Sequence, residues 1–232
     1  MQNNTDFTIR ELTQDEIIEI YQTTAPLHFP KEELRPLFNI KNIMNRNGYR
    51  GFGLFRNAGT ATRTGSTLAD SLSAPDTLAG YAFFITLPDS DVMLLDYFAM
   101  LEEYRSQGLG GMFLQKMRDG LGRDQNTFTN PSKTLNGIFI ETEDITCAAT
   151  DTEKSLRKRR NDFYIRNGAV PTGLHDTLGT ADYEIFFLPI TRNSLLSEDV
   201  HANNLQSCLD KLYRFMLEGE NEICYEKIVK WR

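Results

Sequence analysis

The sequence predicts a mixed α/β domain, and three observations carry that prediction. Residues 91–119 pass from an apolar run, Val92 to Leu101, through a short polar turn into Gly108, Gly110 and Gly111, and then into an amphipathic helix. Ahead of this stretch lie one strand pattern, two helix patterns and two more strand patterns; behind it, helix and strand patterns continue to about residue 217. No composition break demands a second domain, and 232 residues fit one domain with appendages and a substantial core.

Taken in order, Phe7 to Leu12 alternates apolar and polar positions and reads as a strand. Thr13 followed by Glu16 is a capping box, so a helix is expected from about Asp15 to Thr24, with Ile17, Ile18, Ile20 and Tyr21 as its apolar residues. The segment His28 to Pro36 breaks it, and Leu37, Ile40, Ile43 and Met44 space out a second helix ending near Asn47-Gly48. Tyr49 to Arg56 reads as a strand in which Gly51 and Gly53 are candidate bulge positions. Residues 57–77 are rich in Ser, Thr, Ala and Gly without periodicity, a long hairpin loop that is either disordered or a lid. Leu78 to Leu87 is a third strand, and Pro88-Asp89-Ser90-Asp91 has turn chemistry.

After a helix over residues 109–121, residues 122–133 read as loop, and Leu135 to Glu143 as a buried strand that turns acidic at its end. Thr152 to Asn167 is a helix stopped by Gly168, and Tyr183 to Leu188 is another strand. Leu195 to Leu217 reads as a last helix, its apolar positions Leu205, Cys208, Leu209, Leu212, Phe215 and Met216 recurring at helical spacing.

Charge and cysteine usage exclude several classes. Lys+Arg 25 against Asp+Glu 32 gives net charge −7, which disfavours general affinity for nucleic acid or anionic membrane. Cys147, Cys208 and Cys224 are odd in number and far apart, so neither a disulfide framework nor a metal site is indicated and the reducing cytosol is the natural compartment. The acids Asp6, Glu11, Asp15, Glu16 and Glu19 interrupt the first 30 residues, and no run reaches the roughly 18 apolar residues of a membrane span. A cytoplasmic protein is expected.

The glycine-rich turn fits neither of the best-known phosphate loops, G-x-x-x-x-G-K-[ST] and G-x-G-x-x-G. Its pattern is [RQ]-x-x-G-x-[GA], written as Arg105-Ser106-Gln107-Gly108-Leu109-Gly110, after a strand ending Tyr97-Phe98-Ala99-Met100. This resembles the acetyl-CoA pyrophosphate motif of the GCN5-related N-acetyltransferases, the GNAT superfamily. Arg160-Asn-Asp-Phe163-Tyr164-Ile-Arg-Asn-Gly168-Ala169 is similar to the superfamily's R-x-x-F-Y-x-x-x-G-[FA] element, and the two stand in the family's order. The resemblance covers roughly residues 5–190. It implies the GNAT fold: a mostly antiparallel central sheet with a splayed strand pair and helices on both faces. The GNAT domain would then span residues 1–190, with 191–232 a helical extension packed on it. Glu33, Arg35 and Pro36 also look like an E-x-R-P element of one bacterial GNAT subgroup, or equally like a helix-start turn.

The resemblance further implies N-acetyl transfer from acetyl-CoA to an amine, with the activity carried by named residues. Backbone amides from Gln107 to Gly111, through Gly108, Leu109 and Gly110, would hold the pyrophosphate with Arg105 and Ser106 beside them. Backbone groups of Phe98, Ala99 and Met100 would pair with the pantetheine amides as an added strand does. Tyr164 would protonate the departing thiolate, and a carboxylate or water would deprotonate the amine, with Glu141 the leading candidate and Glu143 and Asp96 behind it. Two departures stand out: Ser106 occupies a position where glycine is commonest, and Arg157-Lys158-Arg159-Arg160 replaces a stretch that often carries a CoA-touching Asn.

Other readings accompany these. His28, His175 and His201 are isolated and match no motif, and Cys147 has no His or Asp motif beside it for nucleophilic work. The basic run from Lys154 to Arg160 is either a solvated helix face or an attractor of CoA phosphates. Asp96, Glu141, Glu143 and Asp144 would give the acceptor side a negative lining and select a cationic amine. A competing class is a non-catalytic acyl-CoA-binding or protein-interaction module on the same fold. The partners expected are acetyl-CoA and a small-molecule or peptide amine, with neither nucleic acid, membrane nor metal, and with room for a homodimer.

Overall fold

In the computed structural model, which describes residues 6–58, 76–88, 90–123, 135–190, 202–218 and 228–232, Thr13 caps the first helix as its spacing predicts. The Thr13 amide donates to the Glu16 carboxylate at 2.8 Å and the Glu16 amide donates to the Thr13 hydroxyl at 3.3 Å. That helix, α1 (Gln14–Thr23), follows strand β1 (Phe7–Glu11) and is followed by α2 (Leu37–Asn45). Strands β2 (Tyr49–Arg56), β3 (Thr77–Thr86) and β4 (Val92–Met100) come next, then α3 (Leu109–Arg123) and β5 (Gly137–Glu143). The rest of the chain supplies α4 (Asp151–Arg166), β6 (Val170–Leu178), β7 (Ala181–Pro189), α5 (Ala202–Leu217) and β8 (Val229–Trp231).

The strands form one sheet in the order β1-β2-β3-β4-β5-β7-β6-β8, mostly antiparallel as expected. The parallel ladder of β4 with β5 runs from Val92↔Gly137 to Leu95↔Ile140, and the long connection through α3 makes it sterically accessible. β7 pairs antiparallel with both β5 and β6, and β8 pairs antiparallel with β6.

Contacts divide the chain into two compact units. The first comprises Met1–Leu34, Arg50–Phe83 and Tyr97–Met117. Its interior holds Ile17, Tyr21, Leu54, Tyr81, Phe83, Phe113 and Leu114, all buried. Crowding gives a reason for both glycines of β2, and on the β1 side the register from Phe7↔Arg56 to Glu11↔Phe52 runs unbroken through Gly53. A Cβ on Gly51 would lie 2.7 Å from Ile17 Cγ1, and one on Gly53 would lie 2.4 Å from the Phe55 ring.

The second unit comprises Arg35–Tyr49, Phe84–Asp96 and Arg118–Arg232. Ile138, Phe139 and Ile140 of β5 and Ile185 to Leu188 of β7 are buried, as are Ile40 and Ile43 of α2. On α5, Leu209, Leu212 and Met216 are buried as their spacing predicts, each contributing about 1.5–3 kcal/mol as an upper estimate. Phe215 is half-buried, and Tyr213, absent from the apolar pattern, is wholly buried.

Two strands escape the sequence reading. β6 opens Val170-Pro-Thr-Gly173, turn-forming residues that hide a strand, and its register with β7 shifts between Pro171 and His175 where Gly173 has φ +75. β8 is three residues long and owes its conformation to non-local pairing, Asp176↔Trp231 among its pairs. The core of the expected loop at 57–77, most of that at 122–133, and the expected domain boundary at 190/191 with residues 191–201 fall outside the described residues.

Candidate functional site

In the first unit, β4 ends at Phe98-Ala99-Met100, a single turn of helix at Glu102–Tyr104 follows, and Arg105 to Gly108 then run exposed to the start of α3. Arg105 Nε donates to the Met100 carbonyl at 2.9 Å, and Gln107 Nε2 donates to the Glu103 carbonyl at 2.6 Å. Both contacts tie the turn back onto the segment before it. Ser106 has φ 59 and Gly108 has φ 77, so the chain enters the left-handed region on either side of Gln107. Left-handed residues alternating with right-handed ones are the backbone pattern of anion-binding nests in general.

A Cβ built on Gly108 meets nothing within 4 Å, so the backbone conformation and not crowding calls for glycine there, and the space above the turn is open. Ser106 adopts the same kind of conformation with a side chain, at a cost of order 1–3 kcal/mol, which gives a physical reason for glycine being commonest at this position. The first turn of α3, containing Leu109, Gly110 and Gly111, has no acidic side chain to oppose an anion at the positive end of the helix. Leu109, Phe113, Leu114 and Met117 are buried and fix α3, and the Phe113 ring lies 5.7 Å from that of Phe98. His28, isolated in sequence, stacks on Tyr81 with its Nδ1 3.0 Å from the Tyr81 hydroxyl; burial, and then Arg105, push its pKa down.

In the second unit, Thr150 caps α4 and Gly168, at φ +96, closes it, placing Tyr164 in its last turn. Tyr164 is 7 % exposed, with its ring 5.2 Å from that of Phe163. Burial pushes its phenol up to about 12 while Arg160 pulls it down, so the group keeps its proton at neutral pH. Glu141 lies on β5 opposite Ile185, half-buried, and its Oε1 accepts from the Tyr213 hydroxyl at 2.5 Å. Burial, and then Asp176, push the Glu141 carboxyl above the ordinary range.

No family model and no curated protein sequence matches this chain. Solved structures do. A putative acetyltransferase of the GNAT family from Bacteroides thetaiotaomicron is 14% identical; the match covers 89% of this chain and 96% of that one at TM-score 0.54. A putative N-acetyltransferase from Lactobacillus plantarum, 14% identical, is matched over 80% of this chain and 99% of that one at TM-score 0.50. A point mutant of the spermidine N-acetyltransferase from Vibrio cholerae, 12% identical, is matched over 83% and 98% at TM-score 0.50. This chain has the GNAT fold.

Within the GNAT fold, the acids expected to give a bare negative lining are mostly committed to cations. Asp96 accepts from Arg35 Nε at 2.9 Å and from the Tyr49 hydroxyl at 2.7 Å, so the Arg35 of the Glu33-Leu-Arg-Pro stretch serves as its counter-ion, and Pro36 immediately precedes α2 without a capping hydrogen bond. Glu143 is paired with Arg157 at 3.3 Å and with Arg160 at 2.6 Å. Asp144 meets His175 Nδ1 at 3.0 Å and Arg232 Nη2 at 2.8 Å, and its carbonyl accepts from Arg157 at 2.6 Å. Within the basic run Arg157 and Arg160 are thus engaged, and Lys158 pairs with Asp162 at 2.7 Å. Cys147 is exposed, with Arg232 Nη1 3.6 Å from its Sγ. Among the described residues no cluster of three or more His, Cys, Asp and Glu is placed to hold a metal ion, and no helix is long and apolar enough to cross a membrane.

Sequence reasoning missed Tyr213 and Asp176 entirely. Neither sits in a motif, and Asp176 lies on the strand whose opening residues concealed it. Tyr213 could have been found by its α5 spacing, four residues after Leu209 and three before Met216 on the buried face.

Proposed function

We propose that this protein is an N-acetyltransferase that moves the acetyl group of acetyl-CoA to an amine by direct attack. The observation that carries the reading is the turn at residues 105–111, with positive φ at Ser106 and Gly108 immediately before an acid-free helix start. The fold it sits in is the one shared with the solved GNAT acetyltransferases. The amides of Gln107 to Gly111 hold the CoA pyrophosphate, and the backbone of Phe98, Ala99 and Met100 aligns the pantetheine.

Each proton has a destination. The acceptor arrives as an ammonium and gives one proton to a base, the Glu141 carboxylate or a water beside it. The freed nitrogen lone pair attacks the thioester carbon, the carbon–sulfur bond breaks with its electron pair going to sulfur, and Tyr164 donates its proton to the thiolate. The nitrogen's second proton passes through water to the Tyr164 phenolate and restores the phenol, giving amide and free CoA thiol. A phenol near 12 donates uphill to a thiolate whose ordinary pKa is about 8.5. Arg160 offsets part of that difference by stabilising the phenolate. A positioned acid of this kind contributes roughly 10²–10⁴ in rate.

The test is free-thiol release from acetyl-CoA against a mixed panel of small primary amines and peptides with free N-termini or lysines. Release above background with at least one amine is expected. Background release for every amine, with acetyl-CoA still bound in calorimetry, would replace this reading with that of a non-catalytic acyl-CoA-binding module.

A further inference from the structure

The Tyr213 hydroxyl stands between two carboxylates, 2.5 Å from Glu141 Oε1 and 2.6 Å from Asp176 Oδ2. A phenol has one proton and can donate strongly to one acceptor at a time. Two oxygen–oxygen contacts this short therefore need two protons, and the second has to come from one of the carboxyls, donating to a lone pair of the phenol oxygen. Asp176 is 0 % exposed and its Oδ1 has no hydrogen-bond partner, a state far less costly for a neutral carboxyl than for a carboxylate. Glu141 retains some exposed surface, so of the two it is the one able to exchange a proton with its surroundings.

We propose that Tyr213 and Asp176 are positioning residues that set the protonation state of Glu141 and, through it, the removal of the acceptor's proton. The inference rests on the acetyltransferase reading above, with Glu141 as base. Glu141 and Asp176 hold one proton between them, so a charge on Asp176 opposes the charged form of Glu141; Tyr213 passes the effect on by donating to whichever carboxylate is charged. The proton Glu141 takes from the ammonium is released to solvent after turnover, so the group returns to its starting state.

The charged neighbours are few. Arg35 and Asp96 act on Glu141 with opposite signs, and they are already paired with each other. Arg232, His175 and Asp182 act on Asp176, the first two favouring its charged form and the third opposing it. Burial pushes both carboxyls up, and it and the two carboxylates push Tyr213 well above its ordinary value.

The two residues act on Glu141 with opposite sign, which separates the proposal from a merely structural role. Tyr213→Phe removes a donor to the Glu141 carboxylate and should raise its titration midpoint; Asp176→Asn removes a neighbouring acid and should lower it, each by about one pH unit. The experiment follows the Glu141 side-chain carboxyl by carbon NMR in the full chain, its resonance assigned by its loss in Glu141→Gln. The pH profile of kcat/KM for thiol release is measured alongside. A midpoint above the ordinary glutamate range in the unaltered protein, opposite shifts in the two variants, and an acid limb of kcat/KM that moves with them are expected. An ordinary midpoint, or shifts of one sign, overturns the proposal, and if Tyr213→Phe does not fold, the direction of the Asp176→Asn shift decides it alone. Opposite NMR shifts with an unmoved acid limb overturn the role in acceptor deprotonation. Absence of thiol release with the NMR shifts intact means instead that the acetyltransferase reading has failed.

Discussion

Seven consecutive residues make the turn from Arg105 to Gly111, whereas Tyr213 lies 72 residues from one of its carboxylate partners and 37 from the other. In the proposed reading the turn works through backbone N–H groups, and its side chains matter mainly for the φ they permit. The acid group would work through side-chain oxygens, the backbone mattering only in bringing β5, β6 and α5 together. The first kind of site is written as spacing along the chain; the second exists only once burial has removed water from its members. Substitutions should therefore change binding at the turn without altering the titrations of the acid group, and alter those titrations without changing acetyl-CoA affinity.

Tyr164 stands between the two kinds, since a motif announces it but burial gives it its chemistry. Tyr164→Phe is expected to lower kcat by roughly 10²–10⁴ while leaving acetyl-CoA affinity nearly intact, read by steady-state kinetics and calorimetry. Full kcat in that variant would make Tyr164 a core aromatic and remove the intermediate case. At the turn, Gly108→Val forces a β-branched residue into φ 77, a strain of order 1–3 kcal/mol that should weaken acetyl-CoA binding by about 10–100-fold in calorimetry. Unchanged affinity would show that the turn's shape is not what binds. Ser106→Gly tests the same principle in the opposite direction and with the smallest effect. It relieves the strain at φ 59, partly offset by the greater freedom of glycine in the unfolded chain, and should raise Tm by about 2 °C without loss of affinity.

Elements with a local signal were legible. The Thr13–Glu16 box, the strand–turn–helix around Gly108, and the Phe163-Tyr164 helix end all appear where spacing and propensity put them. β6 was illegible because Pro171 and Gly173 speak for a turn while pairing with β7 overrides them, and β8 because three residues carry no pattern of their own. Glu141 was legible as an acid at the end of a strand, but its environment was not. Nothing in the letters says that a tyrosine of α5 donates to it, or that Asp96, Glu143 and Asp144 have guanidinium partners of their own. The negative lining read from four acids is reduced for that reason, three of them being paired with cations: a count of charges along a chain ignores which of them neutralise one another.

Trp231 is the chain's single tryptophan, and its ring lies flat against Tyr213, centroids 5.9 Å apart at 29°. Indole emission is sensitive to proton donors and to charge close by. The protein therefore carries a candidate optical reporter beside the phenol that bridges Glu141 and Asp176. Its intrinsic fluorescence is expected to follow the ionisation of that group without label, cofactor or substrate.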